Sequence, residues 1–330
     1  MRWGLIGASN IAATQMIDAI RSSGGEIASV LSGDSRRGQD FAAQHGIAAS
    51  TTELDSLLDG VDAVYISTTN EKHFPQAMAA ISAGKHVLCE KPLAMNVADA
   101  VTMVAAARQA GLVFGTNHHL RNAGSHLAIR DAIRAGRIGR VQSVRVFHAV
   151  QLPAHLQGWR IDNPAAGGGV IPDIVVHDAD TVRFHLGENP AEVVAMTADA
   201  GLGAGVEDNV MSVWSMPSGA QVMAHESFTH GFAGTGIEIH GTEGSIFARN
   251  VMTGRPVGEV MLVTEAGAEA IPFEDHNLYH RSVRLFTGAA QGQGRPAADG
   301  EDGIRSLAVA LAVAEAARTG RRTPVDYGGI

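Results

Sequence analysis

Two clusters in the 330-residue chain have residue types and spacings suited to chemistry. The first is Glu90-Lys91-Pro92, which directly follows the apolar run His86–Cys89. An ammonium at the end of a strand can hydrogen-bond a substrate oxygen and stabilise negative charge as it develops there. Pro92 fixes the local turn, and an X–Pro bond admits a cis form. The chain's only other lysines are Lys72 and Lys85, arginine carrying the remaining positive charge. The second cluster is Asp173-Ile174-Val175-Val176-His177-Asp178-Ala179-Asp180, behind Gly167-Gly168-Gly169. A helix over residues 173–186 would set Asp173, His177 and Asp180 on one face, at i, i+4 and i+7. Val175, Ala179, Val182 and Leu186 would form the apolar stripe opposite. The unperturbed pKa of His177 lies near neutrality, which suits a proton donor or acceptor. Asp173, one turn earlier, would orient that imidazole or bind substrate hydroxyls. The competing readings are a solvated helix face and a zinc site. Zinc lacks an obvious third ligand here and has no thiolates, so no metal is expected.

A third group would hold a nucleotide. Gly7-Ala8-Ser9-Asn10-Ile11-Ala12 fits G-x-G-x-x-G/A except that Ser9 stands at the second glycine. The pattern needs a tight turn at Gly7, close backbone at Ser9 and a small residue at Ala12, with phosphate on the helix N-terminus. The next strand-like run ends Ser32-Gly33-Asp34-Ser35-Arg36-Arg37. An NAD site usually has a carboxylate where Ser32 stands. A hydroxyl followed by two guanidiniums suits a 2′-phosphate instead, Arg37 before Arg36. Asp34 is a counter-signal that keeps NAD open. Further polar residues follow later strand-like runs: Ser67-Thr68-Thr69-Asn70 with His73, and Asn117-His118-His119. Trp159-Arg160 precedes the glycine run and could cover a pocket. No Gly-x-Ser-x-Gly elbow argues for a nucleophile.

The elements that must position these residues fall into two patterns. Up to residue 117, short apolar runs at Arg2–Gly7, Glu26–Ser32, Val61–Ser67, His86–Cys89 and Leu112–Thr116 alternate with helical stretches, two of them ending at Gly84 and Gly111. That alternation predicts a doubly wound parallel sheet, an α/β Rossmann domain over residues 1–118, with ligands at the carboxyl ends of its strands. Residues 119–330 predict an α+β domain. A helix near 124–135 precedes the alternating strand Val141–Gln151. Further strands are expected at Val193–Thr197, Val210–Met216, Ala220–Phe228, Gly236–His240, Ser245–Arg249 and Val257–Thr264, in an antiparallel sheet. Met216–Gly219 reads as a hairpin turn, and an alanine-rich helix spans about 303–318.

Composition narrows the partners. The formal net charge is −9, so no global field favours nucleic acid or an anionic membrane. Hydrophobic residues make up 45 %, enough for real cores, and no apolar run approaches the roughly 20 residues of a membrane span. The single cysteine, Cys89, has no partner for an internal disulfide. The expectation is a soluble cytoplasmic protein with a small-molecule substrate.

Taken together, Gly7–Ala12, Ser67–His73, Glu90-Lys91-Pro92 and Asp173 through His177 resemble the Gfo/Idh/MocA oxidoreductases, over the whole chain. The stretches Arg2–Ser9, Gly84–Met95, Gly115–Asn122, His155–Arg160, His240–Ser245 and Asn250–Thr253 look like a sugar-ketone reductase within that family, with which Ser9 is shared. The resemblance implies NADPH-dependent reduction of the C2 ketone of 1,5-anhydro-D-fructose to 1,5-anhydro-D-mannitol. It implies a second domain with an open-faced antiparallel sheet, and a monomer or a homo-oligomer joined through that face. It implies catalysis by Lys91, Asp173 and His177, with Trp159 joining them around the sugar. The expected NADP(H) site takes in Gly7, Ser9, Asn10, Ile11, Ala12, Ser32, Arg36 and Arg37. Ser67, Thr68, Asn70, His73, Glu90, Lys91, Asn117, Trp159 and Arg160 complete it. The chain departs from the pattern by a shorter connection before Val61 and by Asp34. The alternatives are an NAD(P)-dependent sugar or inositol (polyol) dehydrogenase and a non-catalytic NAD(P)-binding regulator.

Overall fold

The computed structural model describes residues 1–330, which divide into two units. The first is built on β1 (Arg2–Ile6), β2 (Glu26–Leu31), β3 (Ala49–Thr51), β4 (Ala63–Ile66), β5 (His86–Cys89) and β6 (Phe114–Thr116). These form one sheet in the order β3-β2-β1-β4-β5-β6, every pair parallel. The strands are linked by α1 (Ile17–Ser22), α2 (Ser35–His45), α3 (Leu54–Leu58), α4 (His73–Ser82) and α5 (Val97–Gln109). Parallel strands with helical crossovers are covered on both faces, so they run apolar without alternation. All four residues of β4 are buried, as are Trp3 through Ile6 of β1. Gly84 and Gly111 take positive φ at the ends of α4 and α5, as a left-handed helix stop requires.

The second unit carries a nine-stranded sheet covered on one face. Its elements are α6 (Gly124–Arg134), β7 (Val141–Ala149), α7 (Trp159–Asp162), α8 (Val176–Leu186), β8 (Glu192–Ala198), β9 (Asn209–Ser215), β10 (Gln221–Ser227), β11 (Thr235–Gly241), β12 (Gly244–Arg249), β13 (Glu259–Thr264) and β14 (Gly267–Ala270). After α9 (Leu278–Ala290) and α10 (Gly300–Thr319) comes the edge strand β15 (Thr323–Pro324). The order is β14-β13-β12-β11-β7-β10-β9-β8-β15. Here burial alternates along each strand. Val210, Ser212 and Trp214 of β9 point into the core, while Met211 and Val213 stay exposed. Val194, Met196 and Met223 extend that apolar outer face across β8 and β10. The 216–219 turn is present, with Gly219 at φ +88.

Two features differ from the sequence expectation. The sheet is mixed, because β10 pairs parallel with β7 while its other pairs run antiparallel. The boundary at 118 also misses a return of the chain. Residues Tyr279–Ile304 pack with the first unit, and the second comprises Leu120–Leu278 and Arg305–Ile330. Trp3 of β1 packs against Phe286 of α9 with the rings tilted and their centroids 5.3 Å apart, and Thr116 of β6 bonds to Ala298 and Asp299.

Candidate functional site

The nucleotide end of the first unit starts at Gly7, φ +114, whose N–H donates to Leu31 O at 3.1 Å. A Cβ there would come 3.0 Å from Ser67 O, so the turn needs glycine. Ser9 does what a second glycine could not. Its Oγ accepts the Ala12 N–H at 3.2 Å and shares a 2.7 Å hydrogen bond with Ser67 Oγ. The serine thus caps the helix that begins at Asn10 and joins the β1 and β4 loops. Ala12 is fully buried beneath it. A π turn at Ala12–Met16 follows before α1. The N–H groups of Asn10 and Ile11 lie in the open first turn, where an anion is favoured by unsatisfied donors and by the helix dipole.

At the end of β2 Asp34 has a structural role. Its carboxylate is the N-cap of α2, accepting the Arg37 N–H at 2.7 Å. Arg37 turns back, its Nε donating to Ser32 Oγ at 3.1 Å. Arg36 faces solvent, 4.0 Å from Asp40. A guanidinium therefore stands beside a buried hydroxyl, and the nearby carboxylate is engaged with backbone. This donor set fits a nucleotide bearing a 2′-phosphate.

The residues after β4 and β5 form one bonded network. Glu90 Oε1 accepts from Tyr65 OH and from Asn117 Nδ2, both at 2.6 Å, and burial raises its carboxyl pKa. Asn117 Oδ1 in turn accepts from Ser282 Oγ at 3.4 Å. Tyr65, Ser282 and nearby Tyr279, which stacks on His119, carry no sequence signal that marks them beforehand. Glu90 and Asn117 are thus bonded to each other, at the end of β5 where Lys91 emerges. The Lys91–Pro92 bond is cis. His73 is fully buried, with Nδ1 2.8 Å from Pro92 O and Nε2 3.2 Å from Thr68 O. Its side chain joins the β4 and β5 loops, and burial lowers its pKa. Thr68 Oγ1 donates to Gln76 at 2.6 Å, and Asn70 is buried.

In the second unit Asp173 lies in a π turn, Ile171–Val175, that runs into α8 with His177 in its first turn. Single π turns inside helices occur often at functional sites. Arg160 Nε stands 3.4 Å from Asp173 Oδ2, and its guanidinium lies over the Trp159 ring at 4.7 Å. Trp159, Arg160 and Asp173 are thereby brought together. Asp180 is not on their polar face. It is buried in an ion pair with Arg121, whose Nε donates to Oδ2 at 2.9 Å, and Arg183 stands 3.8 Å away. The i+7 spacing allows the shared face, but a guanidinium 59 residues earlier takes the carboxylate inward. The helix α8 is buried on all sides; within it Asp178 accepts from His148 Nδ1 at 2.8 Å and lies beside buried Glu226, whose pKa is raised by burial and by that carboxylate. No group of three metal-ligating side chains is present, and no helix is long and apolar enough to cross a membrane.

The chain matches two family models. One describes an oxidoreductase family with an NAD-binding Rossmann fold, over residues 1–118, and the other the GFO/IDH/MocA C-terminal domain, over residues 126–247. The 1,5-anhydro-D-fructose reductase of Ensifer adhaerens is 56 % identical over 330 residues, covering 99 % of each chain. Inositol 2-dehydrogenase of Rhizobium meliloti (strain 1021) is 29 % identical over 325 residues, 94 % of each chain. Among solved structures, an aldose–aldose oxidoreductase from Caulobacter crescentus shares the fold with a TM-score of 0.89 at 24 % identity, covering 98 % of this chain and 99 % of that one. Fingerprint turn, sheet order and full-length similarity agree: this chain belongs to the Gfo/Idh/MocA family of oxidoreductases.

Proposed function

We propose that the protein reduces the C2 ketone of 1,5-anhydro-D-fructose to 1,5-anhydro-D-mannitol, with NADPH as reductant. The observation that carries this reading is the 56 % identity to a reductase of that name, spread over 99 % of both chains. The choice of NADPH rests on Ser32 and Arg37, bonded to each other beside an Asp34 that is engaged as a helix cap. The Gly7 turn with the Asn10 and Ile11 N–H groups would hold the pyrophosphate, and Ser32 with Arg37 the 2′-phosphate. The dinucleotide, when bound, supplies a hydride to the carbonyl carbon. The Lys91 ammonium and the His177 imidazole hydrogen-bond the carbonyl oxygen and offset the charge that develops on it. His177 delivers the proton that completes the alcohol. Asp173, steadied by Arg160, binds a sugar hydroxyl.

The test is loss of NADPH absorbance with anhydrofructose, fructose, glucosone and myo-inositol presented side by side, each repeated with NADH. Turnover with anhydrofructose and preference for NADPH are expected. Oxidation of myo-inositol with NAD⁺ in place of that turnover would move the assignment to a polyol dehydrogenase. Nucleotide binding without turnover of any sugar would make the protein a regulator.

A further inference from the structure

We propose that Glu207 is a positioning residue for Asp173 and His177, and that Gly169 exists to admit its carboxylate. The reading rests, for its kinetic consequences, on the function proposed above.

The helix that carries Asp173 and His177 starts at Val170, directly after the glycine run. Its first N–H groups have no partners within the helix. Two of them are met from outside by one residue. Glu207 O accepts the Val170 N–H at 3.0 Å, and Glu207 Oε1 accepts the Ile171 N–H at 3.1 Å. Burial raises the carboxyl pKa of Glu207, so the contact rests on the acceptor oxygen rather than on the charge. Gly169 stands opposite, at φ +117. A Cβ on it would collide with Oε1 and lie 2.8 Å from Cδ of the same carboxylate. Gly168 is held by a different neighbour, since a Cβ on it would lie 2.5 Å from Trp159 O. The two glycines therefore serve separate close approaches, one to Glu207 and one to α7.

Glu207 is itself rigidly placed. Asp208, the next residue, is fully buried and accepts the N–H groups of Ala200 at 2.7 Å, Leu202 at 2.8 Å and Gly203 at 2.9 Å. Those bonds hold its carboxyl below the usual range and fold residues 199–208 into a compact loop. The same loop reaches α7, where the Ala204 N–H donates to Ile161 O at 2.6 Å. One loop thus grips both the helix of Asp173 and His177 and the short helix of Trp159 and Arg160. The first turn it caps runs into the π turn at Ile171–Val175. A shift in where that turn starts rotates Asp173 and His177 about the helix axis, so the Glu207 bond sets their direction.

The experiment compares Glu207→Ala, Glu207→Gln and Gly169→Ala with the wild type. Glu207→Gln keeps the Oε1 acceptor and removes the charge. Amide exchange over residues 170–177 is read alongside anhydrofructose kinetics and NADPH affinity. Glu207→Ala and Gly169→Ala should lose protection in that segment. Their kcat/KM for the sugar should fall about tenfold, with NADPH affinity within about twofold of wild type. Glu207→Gln should restore both protection and rate. Unchanged protection in Glu207→Ala overturns the proposal, and so does a Gln variant as impaired as the Ala variant. If Glu207→Ala does not fold, Glu207→Asp, shorter by one methylene, must show the same losses, and wild-type behaviour in it also overturns the proposal. If the wild type fails to reduce anhydrofructose, the functional reading falls, while exchange in the variants still decides the role of Glu207.

Discussion

The nucleotide end of the first unit adds short-range caps to its bonds between loops, whereas the helix of Asp173 and His177 in the second is held by distant partners. Ser9 caps Ala12 three residues on, Asp34 caps Arg37 at the same spacing, and Arg37 reaches back five residues to Ser32. In the second unit Asp178 is held by His148 from 30 residues away, Ile171 by Glu207 from 36 and Asp180 by Arg121 from 59. A site made of short-range bonds is a property of its own segment. A site held by distant partners depends on the tertiary fold around it. Perturbations should therefore separate the two: changes at the nucleotide turn alter ligand preference, whereas changes behind α8 alter stability.

The largest effect expected is on turnover. Lys91→Ala and His177→Ala should each lower kcat by about 10²–10⁴-fold while NADPH binding, followed by fluorescence, persists. Full activity in both variants would remove these residues from the chemistry. Next comes Arg121→Ala, which leaves Asp180 buried without its main partner. Urea melts should show a loss of about 3–5 kcal/mol. Arg121→Met combined with Asp180→Leu should recover part of that loss, because both charges then leave the core together while Arg183 keeps its bond to Asn189.

A third test uses pH. His126 Nε2 donates to Val251 O at 3.1 Å, so its Nδ1 accepts from His185 Nε2 at 3.0 Å and both rings are neutral. Burial lowers the His126 pKa to about 4. The unfolded chain, with histidine near 6.5, then binds more protons than the folded one. The contribution of this ring is full above about pH 6.5 and should fall by about 2–3 kcal/mol on acidification to pH 4.5. Comparing wild-type and His126→Gln melts across that range isolates the share of this ring. The smallest effect, and the one that sharpens the comparison most, is Ser32→Asp. A carboxylate there would pair with Arg37 and repel a 2′-phosphate, raising the KM for NADPH about 10–100-fold and favouring NADH. Unchanged preference would place recognition elsewhere.

The same contrast explains what could be read from the sequence. Ser9, Ala12, Ser32 and Arg37 carry a local signal through caps and bonds that span five residues or fewer, whereas the bonds of Gly7 to Leu31 and of Ser9 to Ser67 cross between strands and leave no mark in the sequence. The sequence marks the helix of Asp173 and His177, but not that it is buried on all sides, nor its π turn, nor the inward diversion of Asp180, since Arg121 lies far upstream. Glu207 belongs to no motif, and only the folded loop brings it to Ile171. The parallel pairing of β10 with β7 escaped for a related reason: alternation tells which face a strand buries, not which neighbour it chooses. The helix α9 is amphipathic, with Tyr279, Val283 and Phe286 on its buried side, but nothing local says that it returns to the first unit. Its Ser282 is buried to meet Asn117. The strand β3 is three residues long and only partly buried, too short for periodicity to register.

The return of Tyr279–Ile304 to the first unit has a consequence for biosynthesis. Chains leave the ribosome at about 5–20 residues per second, so the stretch Leu120–Leu278 takes on the order of 10–30 s to emerge. For that interval the dinucleotide fold has all six of its strands but not its last helix, and Trp3 waits for Phe286 with one face uncovered. A nascent chain stalled before Tyr279 would expose that indole to solvent and to chaperones, and release past Ile304 would close it.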